Sequence, residues 1–513
     1  MKLLGVTQGA SVRVFARLVE MLGENGGAVS AAAFVADALA FKTTARTEPC
    51  LRDGSMALLK EWDVTGAGRV RIPDWAALTR WEEEVGDPSL WNALLADRRL
   101  VFGRACKFRQ DYTPRFTHEQ MGGILQEALE RISAFIEAQK PDVIVGFGTA
   151  TFGDYLFYRF AKARGIPYLS LKATKIANYV SLNDDAVALS SHVASRISAA
   201  AVSESALDEA RRHIEAIRQK GVKYEGALKS SARLQPLKGA VALARGLVRD
   251  LRNRADVEIG GDNHVESALR HAWYTHFRQP LMGQYVQLRL KDAWVRADAL
   301  SAQPPFIFFP LHFEPEVSIQ VFGRPHQNQI ELVRNIALSL PPGMLVLVKE
   351  HPRSIGFRPL GYYRKLLEIP NVRLVDPDIS THAVIRHAGM VAVISGSTGL
   401  EAAICGHPVI TFGLPTYNVL PDSMVRNVRD LHRLGEEIRS LMRDHAPVDS
   451  AVEQFLGAHV DGAVPVDLYS VLLGKQGRHS EGREGMSVEQ KQSADYRALA
   501  AYFRQRLSDV AGA

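Results

Sequence analysis

Two apolar runs in this chain end on residues that can handle a phosphate. MLVLV (344–348) stops at Lys349, Glu350, His351 and Pro352, and MVAVI (390–394) stops at Ser395, Gly396, Ser397, Thr398 and Gly399. Lys349 can supply positive charge, and His351 can donate a hydrogen bond to a phosphate or a leaving oxygen. Pro352 fixes the turn and bars continued strand pairing. The second cluster precedes a helix expected to begin near Leu400. The first turn of such a helix carries unpaired N–H groups and the positive end of its dipole. Gly396 and Gly399 would let a phosphate approach that backbone, Ser395, Ser397 and Thr398 add donors, and Glu401 can accept from a ribose or sugar hydroxyl. Taken singly, either cluster also reads as a solvated strand end or a tight turn. In a parallel sheet, however, both runs end at the same carboxyl edge, and their polar ends converge on one crevice.

A group-transfer reaction at that crevice also needs a base. Asp154 follows the apolar run PDVIVGFG (141–148) at a loop-to-helix junction. There it either faces a cleft or caps the helix expected from Tyr155. Glu314 and Glu316 in HFEPE (312–316) follow the first strand of a second domain and either face the cleft or sit in a solvated turn. His312 reads as structural or as part of the phosphate site, and Asp184 and Asp185 read as turn residues.

The elements that must position these residues alternate. KLLGVT, a glycine-containing turn and a helix open the chain, and PDVIVGFG, a helix closed by Gly165, and IPYLSL (166–171) repeat the unit. From 304 onward, strands FIFFPL, MLVLVKEHP, VRLVD, MVAVIS and PVITFG alternate with helices, which indicates a parallel sheet with right-handed crossovers. Between them, residues 228–254 set the apolar stripe Leu234, Leu237, Val241, Ala244, Val248 and Leu251 among basic neighbours. Such a helix either packs on its own domain or lies on an anionic membrane surface. The segments expected are a first Rossmann-like domain (1–200), a basic helical insertion (201–300), a second Rossmann-like domain (301–474) and a hydrophilic tail with a terminal helix (475–513).

The chain has 513 residues, 46% apolar and 23% charged, with a net charge of +6. That length suits two cores, and the charge favours anionic partners without choosing among them. No basic motif interleaved with aromatics supports nucleic-acid binding. Cys50, Cys106 and Cys405 are far apart, which suits a reducing compartment. The opening MKLLGVTQGASVRVF reads as a first strand, and no run of 18 apolar residues suggests a membrane span, so a cytoplasmic protein, peripheral at an inner membrane, is expected.

FPLHFEPEVSI, GRPHQNQ, VKEHPRS, ISGSTGLEAAICGHPVITFG and Tyr417 resemble bacterial capsule and surface-polysaccharide biosynthesis proteins. GDPSLWNALLADRRL (86–100), PDVIVGFG and GIPYLSLKATKIANYVSLNDD (165–185) resemble the same family, so the likeness covers roughly 80–200 and 300–430. It implies an α/β, GT-B-like fold, with two Rossmann-like domains facing across a cleft and the donor held mainly by the second. It implies a glycosyltransferase moving a sugar from a nucleotide-activated donor onto a growing polysaccharide or its lipid-linked acceptor. Sialyltransferases, Kdo transferases and polyglycerol-phosphate polymerases look similar in their His-Pro and Ser/Thr elements. That likeness assigns His351, Pro352, Ser397 and Thr398 to the donor phosphates and inclines the donor to CMP- or CDP-linked. Lys349, Ser395, Gly396, Gly399 and Glu401 complete the expected donor site, with catalysis expected from His351 and a carboxylate among Asp154, Glu314 and Glu316. GT-B enzymes usually stabilise the phosphate with protein donors, and no DxD flanked by strand signals is present. Neither a metal nor a further cofactor is therefore expected. A UDP-sugar epimerase of GT-B-like fold and a non-catalytic scaffold at the membrane are the alternatives.

Overall fold

The computed structural model describes residues 1–24, 29–221, 234–351, 354–475, 478–480, 483 and 485–511. Its strands fall into two sheets. In the first half lie β1 (Lys2–Gln8), β2 (Ser30–Ala36), β3 (Ala57–Lys60), β4 (Val143–Gly146), β5 (Tyr168–Ala173) and β6 (Tyr179–Asn183). The second half supplies β7 (Trp294–Val295), β8 (Phe306–Pro310), β9 (Leu345–Lys349), β10 (Val372–Val375), β11 (Met390–Val393), β12 (Val409–Thr411), β13 (Val425–Asn427) and β14 (Ala463–Pro465).

The first sheet runs β14-β6-β5-β4-β1-β2-β3, and the second runs β13-β12-β11-β8-β9-β10-β7. Every pairing in the second sheet is parallel, whereas β6 runs antiparallel to β5 and to β14 in the first. Helices cover both faces of each sheet, so the fold is α/β with two domains. Strand β8 shows why its sequence is apolar without alternation. Phe306 and Phe308 enter the core on one face, Ile307 and Phe309 the core on the other. A parallel strand covered on both sides has no solvent face on which to place a polar residue.

Sheet membership cuts across the segments drawn from the sequence. The helix Glu204–Lys220 belongs to the second domain, with Ala206, Ala210, Ile214 and Ile217 in its core. Helices fill most of residues 236–289, and β7 closes the edge of the second sheet. The chain returns to the first domain before the expected second domain ends: β14, within 301–474, joins the first sheet, and in the stretch read as a tail Leu499 and Phe503 of the helix Val488–Ala511 share a core with Val14, Phe15 and Leu18. Polar residues in this return have partners. Arg483 pairs with Asp467 at 2.8 Å and Asp495 at 2.6 Å, both carboxylates being fully buried. Among the described residues, no helix is long and apolar enough to cross a membrane.

Candidate active site

In the second sheet β8 is flanked by β9 and β11. The chain leaves β8 for β9 on one side and later leaves β11 for β12 on the other, so a crevice opens between the carboxyl ends of β8 and β11. His312, two residues past β8, spans it: its Nε2 accepts the N–H of Ser395 at 3.3 Å. That bond assigns the ring proton to Nδ1, which has no partner among the described residues. Burial, followed by the nearby charges of Arg358, His351 and Lys175, pushes the imidazole down to about 3. His312 is therefore neutral throughout the physiological range.

The loop bearing His312 is clamped from several directions. Its N–H donates to Gln329 Oε1 at 2.7 Å, and its carbonyl accepts from Gln329 Nε2 at 3.1 Å and from Arg358 at 2.6 Å. Arg358 is itself held by Glu350, which also accepts from the Tyr363 hydroxyl at 2.8 Å and the His351 N–H at 2.7 Å. This explains the glutamate between two candidate ligands. Glu350 is buried and holds the arginine that holds His312. Lys349 ends β9 opposite Pro310 and is 3% exposed. Burial pushes its ammonium down to about 8, and no hydrogen bond or ion pair of that ammonium occurs among the described residues. His351 is half-buried, its ring 6.3 Å from that of Phe313. Pro352 lies outside the described residues.

Across the crevice the helix starts at Ser397, three residues before the expected Leu400, so Ser397 and Thr398 occupy its first turn. Gly396 is its cap and offers no side-chain acceptor. The hydroxyls of Ser397 and Thr398 are half-exposed and unpartnered among the described residues. Ser395 differs: its hydroxyl donates to the Ser318 carbonyl at 2.5 Å, so it shapes the turn and is not free for a ligand. Gly399 also has a packing role, because a Cβ there would stand 2.4 Å from the Tyr417 hydroxyl, which donates to the Gly396 carbonyl at 2.5 Å. A Cβ on Gly396 would lie 3.0 Å from His312 Nε2, so this glycine admits the histidine to the turn. Glu401 is buried with its carboxylate 3.5 Å from His382.

Residues 266–421, which hold this whole crevice, match the family model described as capsule polysaccharide biosynthesis protein. This part of the chain is therefore similar to that family. The capsule polysaccharide modification protein LipA of Neisseria meningitidis serogroup A is 31% identical over 102 residues, 20% of this chain and 14% of that protein. Protein FixF of Sinorhizobium fredii is 30% identical over 161 residues, 30% of this chain and 37% of that protein. The chain thus matches well under half the length of either. Among solved structures, KpsC of Thermosulfurimonas dismutans, a beta Kdo 2,7 transferase, shows 14% identity and a TM-score of 0.36 over 69% of this chain and 86% of its own.

The carboxylates around this crevice do not all reach it. Asp154 is 1% exposed and sits in the first turn of the helix Phe152–Ala163, reciprocally bonded with Thr151 in a capping box. It also accepts from the Ala150 N–H at 3.1 Å and Gln8 Nε2 at 3.4 Å. Burial pushes it up to about 7, but it has no open face toward an acceptor. Glu314 is buried too, accepting from Gln110 and the Tyr112 hydroxyl of the first domain at 2.6 Å each and from Gln329. It fastens the two domains and has no capacity left for catalysis. Glu316 is exposed, with Ser318 Oγ at 3.1 Å.

Sequence reasoning missed Lys175, an exposed residue at φ 65° in the loop after β5 whose charge reaches His312 from the first domain. It also missed Arg358 and Gln329, whose roles rest on contacts distant in the chain. Between the domains a cavity of about 540 Å³ is lined by Tyr155, Tyr158 and Arg159 on one side and Gln320, Arg324 and Thr416 on the other. One group of metal-type donors also occurs among the described residues: Glu61, Asp97 and His264, buried in the first domain.

Proposed function

We propose that this chain is a glycosyltransferase of capsule or surface polysaccharide assembly, taking its sugar from a nucleotide-activated donor, CMP- or CDP-linked, and passing it to a growing glycan or its lipid-linked acceptor. The observation that carries the reading is the free first turn of the helix Ser397–Ile404. Its backbone donors and the unpartnered Ser397 and Thr398 hydroxyls stand beside a neutral, clamped His312, within the part of the chain similar to the capsule family. A phosphate suits that arrangement, because helix N–H groups and hydroxyls meet an anion without reorganising. Lys349 and His351 lie at the same edge and would take up charge as the donor phosphate leaves. Backbone and side-chain donors are enough for that task, so no metal is needed at this crevice. The acceptor would approach through the interdomain cavity, and Glu316 is the exposed carboxylate left to serve as base.

Melting of the purified protein with CMP, CDP, UDP and GDP, each in large excess, tests this reading. A ligand at about 100 times its dissociation constant stabilises by roughly 2.7 kcal/mol, a readable shift. A shift with CMP or CDP that the Ser397→Ala, Thr398→Ala double variant loses is the expected result. A UDP shift without acceptor-dependent transfer would favour the epimerase. No shift with any nucleotide overturns the transferase and leaves the scaffold.

A further inference from the structure

The helix Pro236–Arg254 is packed with its small residues inward. Its buried positions are Gly239 and Gly246. A Cβ on Gly246 would stand 2.7 Å from the Leu269 nitrogen, and one on Gly239 would stand 2.5 Å from the Phe277 ring. Asp250, on the same face, accepts from the Ser267 hydroxyl at 2.5 Å and the Ala268 N–H at 2.7 Å, tying the helix to Ala268–Trp273. The apolar stripe faces the other way: Leu237 is 85% exposed, Val241 51%, Val248 49% and Leu251 58%. At 3.6 residues per turn these side chains share one face, opposite the glycines. The helix Gln279–Arg289 repeats the pattern, with Gly283 packed inward, where a Cβ would stand 3.1 Å from Ile355, and Leu281, Tyr285 and Leu288 exposed. Such a row left in water is a surface awaiting a partner.

Charge selects the partner. Lys238, Arg245, Arg249 and Arg252 are all exposed, and none has an ion pair among the described residues. On a helical projection they occupy an arc of roughly 60° beside the stripe. A second copy is a poor match. Read as a heptad seam, the stripe is flanked by Lys238, Arg245 and Arg252 on one side and Ala240 and Leu247 on the other. Neither flank offers an acid to those cations. We propose that this face docks on a lipid bilayer rich in anionic headgroups, with the stripe in the acyl boundary and the cations among the headgroups. The proposal uses no residue of the nucleotide site and stands apart from the transferase reading.

Sedimentation of the full chain with vesicles of phosphatidylcholine, or of phosphatidylcholine with phosphatidylglycerol, tests it. The protein is expected on the anionic vesicles alone, and less so as salt rises. One variant combines Val241→Ser, Val248→Ser and Leu251→Ser; another combines Lys238→Glu, Arg245→Glu and Arg252→Glu. Each is expected to lower vesicle partitioning at least roughly tenfold while leaving the melting temperature unchanged. Equal binding to both vesicle types, or variants that bind like the parent, overturn the proposal. Failure to bind any vesicle also overturns it. A dimer dissolved by the serine variant would then assign the face to a second copy, and a monomer would leave it to an acidic protein.

Discussion

Lys349 shows how far one residue's chemistry depends on where a strand stops. Its ordinary ammonium would hold its proton to high pH, but the last position of a buried parallel strand pushes it down to about 8. Because its pKa in the folded chain is depressed, the charge is present below about 8 and lost above it. If this ammonium meets the donor phosphate, nucleotide affinity is flat at neutral pH and falls as pH rises through that value. Lys349→Met should bind weakly and show no such fall. Calorimetric titration across neutral to alkaline pH checks both, and a parent whose affinity ignores pH removes Lys349 from the site. Glu350 and His351, its neighbours in sequence, diverge in role because a strand end sends successive side chains opposite ways. One becomes a buried clamp and the other stays at the crevice.

At the scale of the element, the same residue type reads differently by its place in a helix. Asp154 looked like a base or a cap and is the third residue of its helix, closing a capping box with Thr151 and sealed under its loop. Its carboxyl is raised from an ordinary 3.8 to about 7, so the folded state favours the protonated form. The sign follows: this group's contribution is whole below 3.8 and declines as pH rises toward about 7. Asp154→Asn keeps an acceptor for the cap and removes the titration. Melting temperature should therefore fall less between pH 5 and about 7.5 in the variant than in the parent, with transfer activity retained. Loss of activity in a folded variant would make Asp154 the base after all. The helix Pro236–Arg254 carries the complementary lesson: its hydrophobic stripe is plain in the sequence, but which side meets the protein was decided by two glycines and the backbone that approaches them.

The whole molecule is held by contacts between segments far apart in the chain. The returning strand β14 and helix Val488–Ala511 complete the first domain, and Arg483 sits between two buried carboxylates there. Arg483→Ala leaves Asp467 and Asp495 without their cation and should destabilise by about 3 kcal/mol in denaturant unfolding. A change near zero would show that the return is held by its apolar face alone. Much was legible beforehand. The central strands of the second sheet, the polar turn at Ser395–Gly399 and the convergence of its loops on one edge follow from apolar runs that end on polar clusters. Strand β2, SAAAFVA, was not legible, because alanine carries little strand preference and only pairing with β1 and β3 makes it one. Periodicity and strand-end chemistry are local, so the sequence by itself determined an α/β chain with a polar crevice at one sheet edge in its second half. Which carboxylates are sealed, that His312 rather than a glycine governs the turn, that the last helix belongs to the first domain and that the basic helix turns its apolar row outward were decided by the tertiary structure. Each depends on atoms brought together from distant parts of the chain, and no local pattern encodes that proximity.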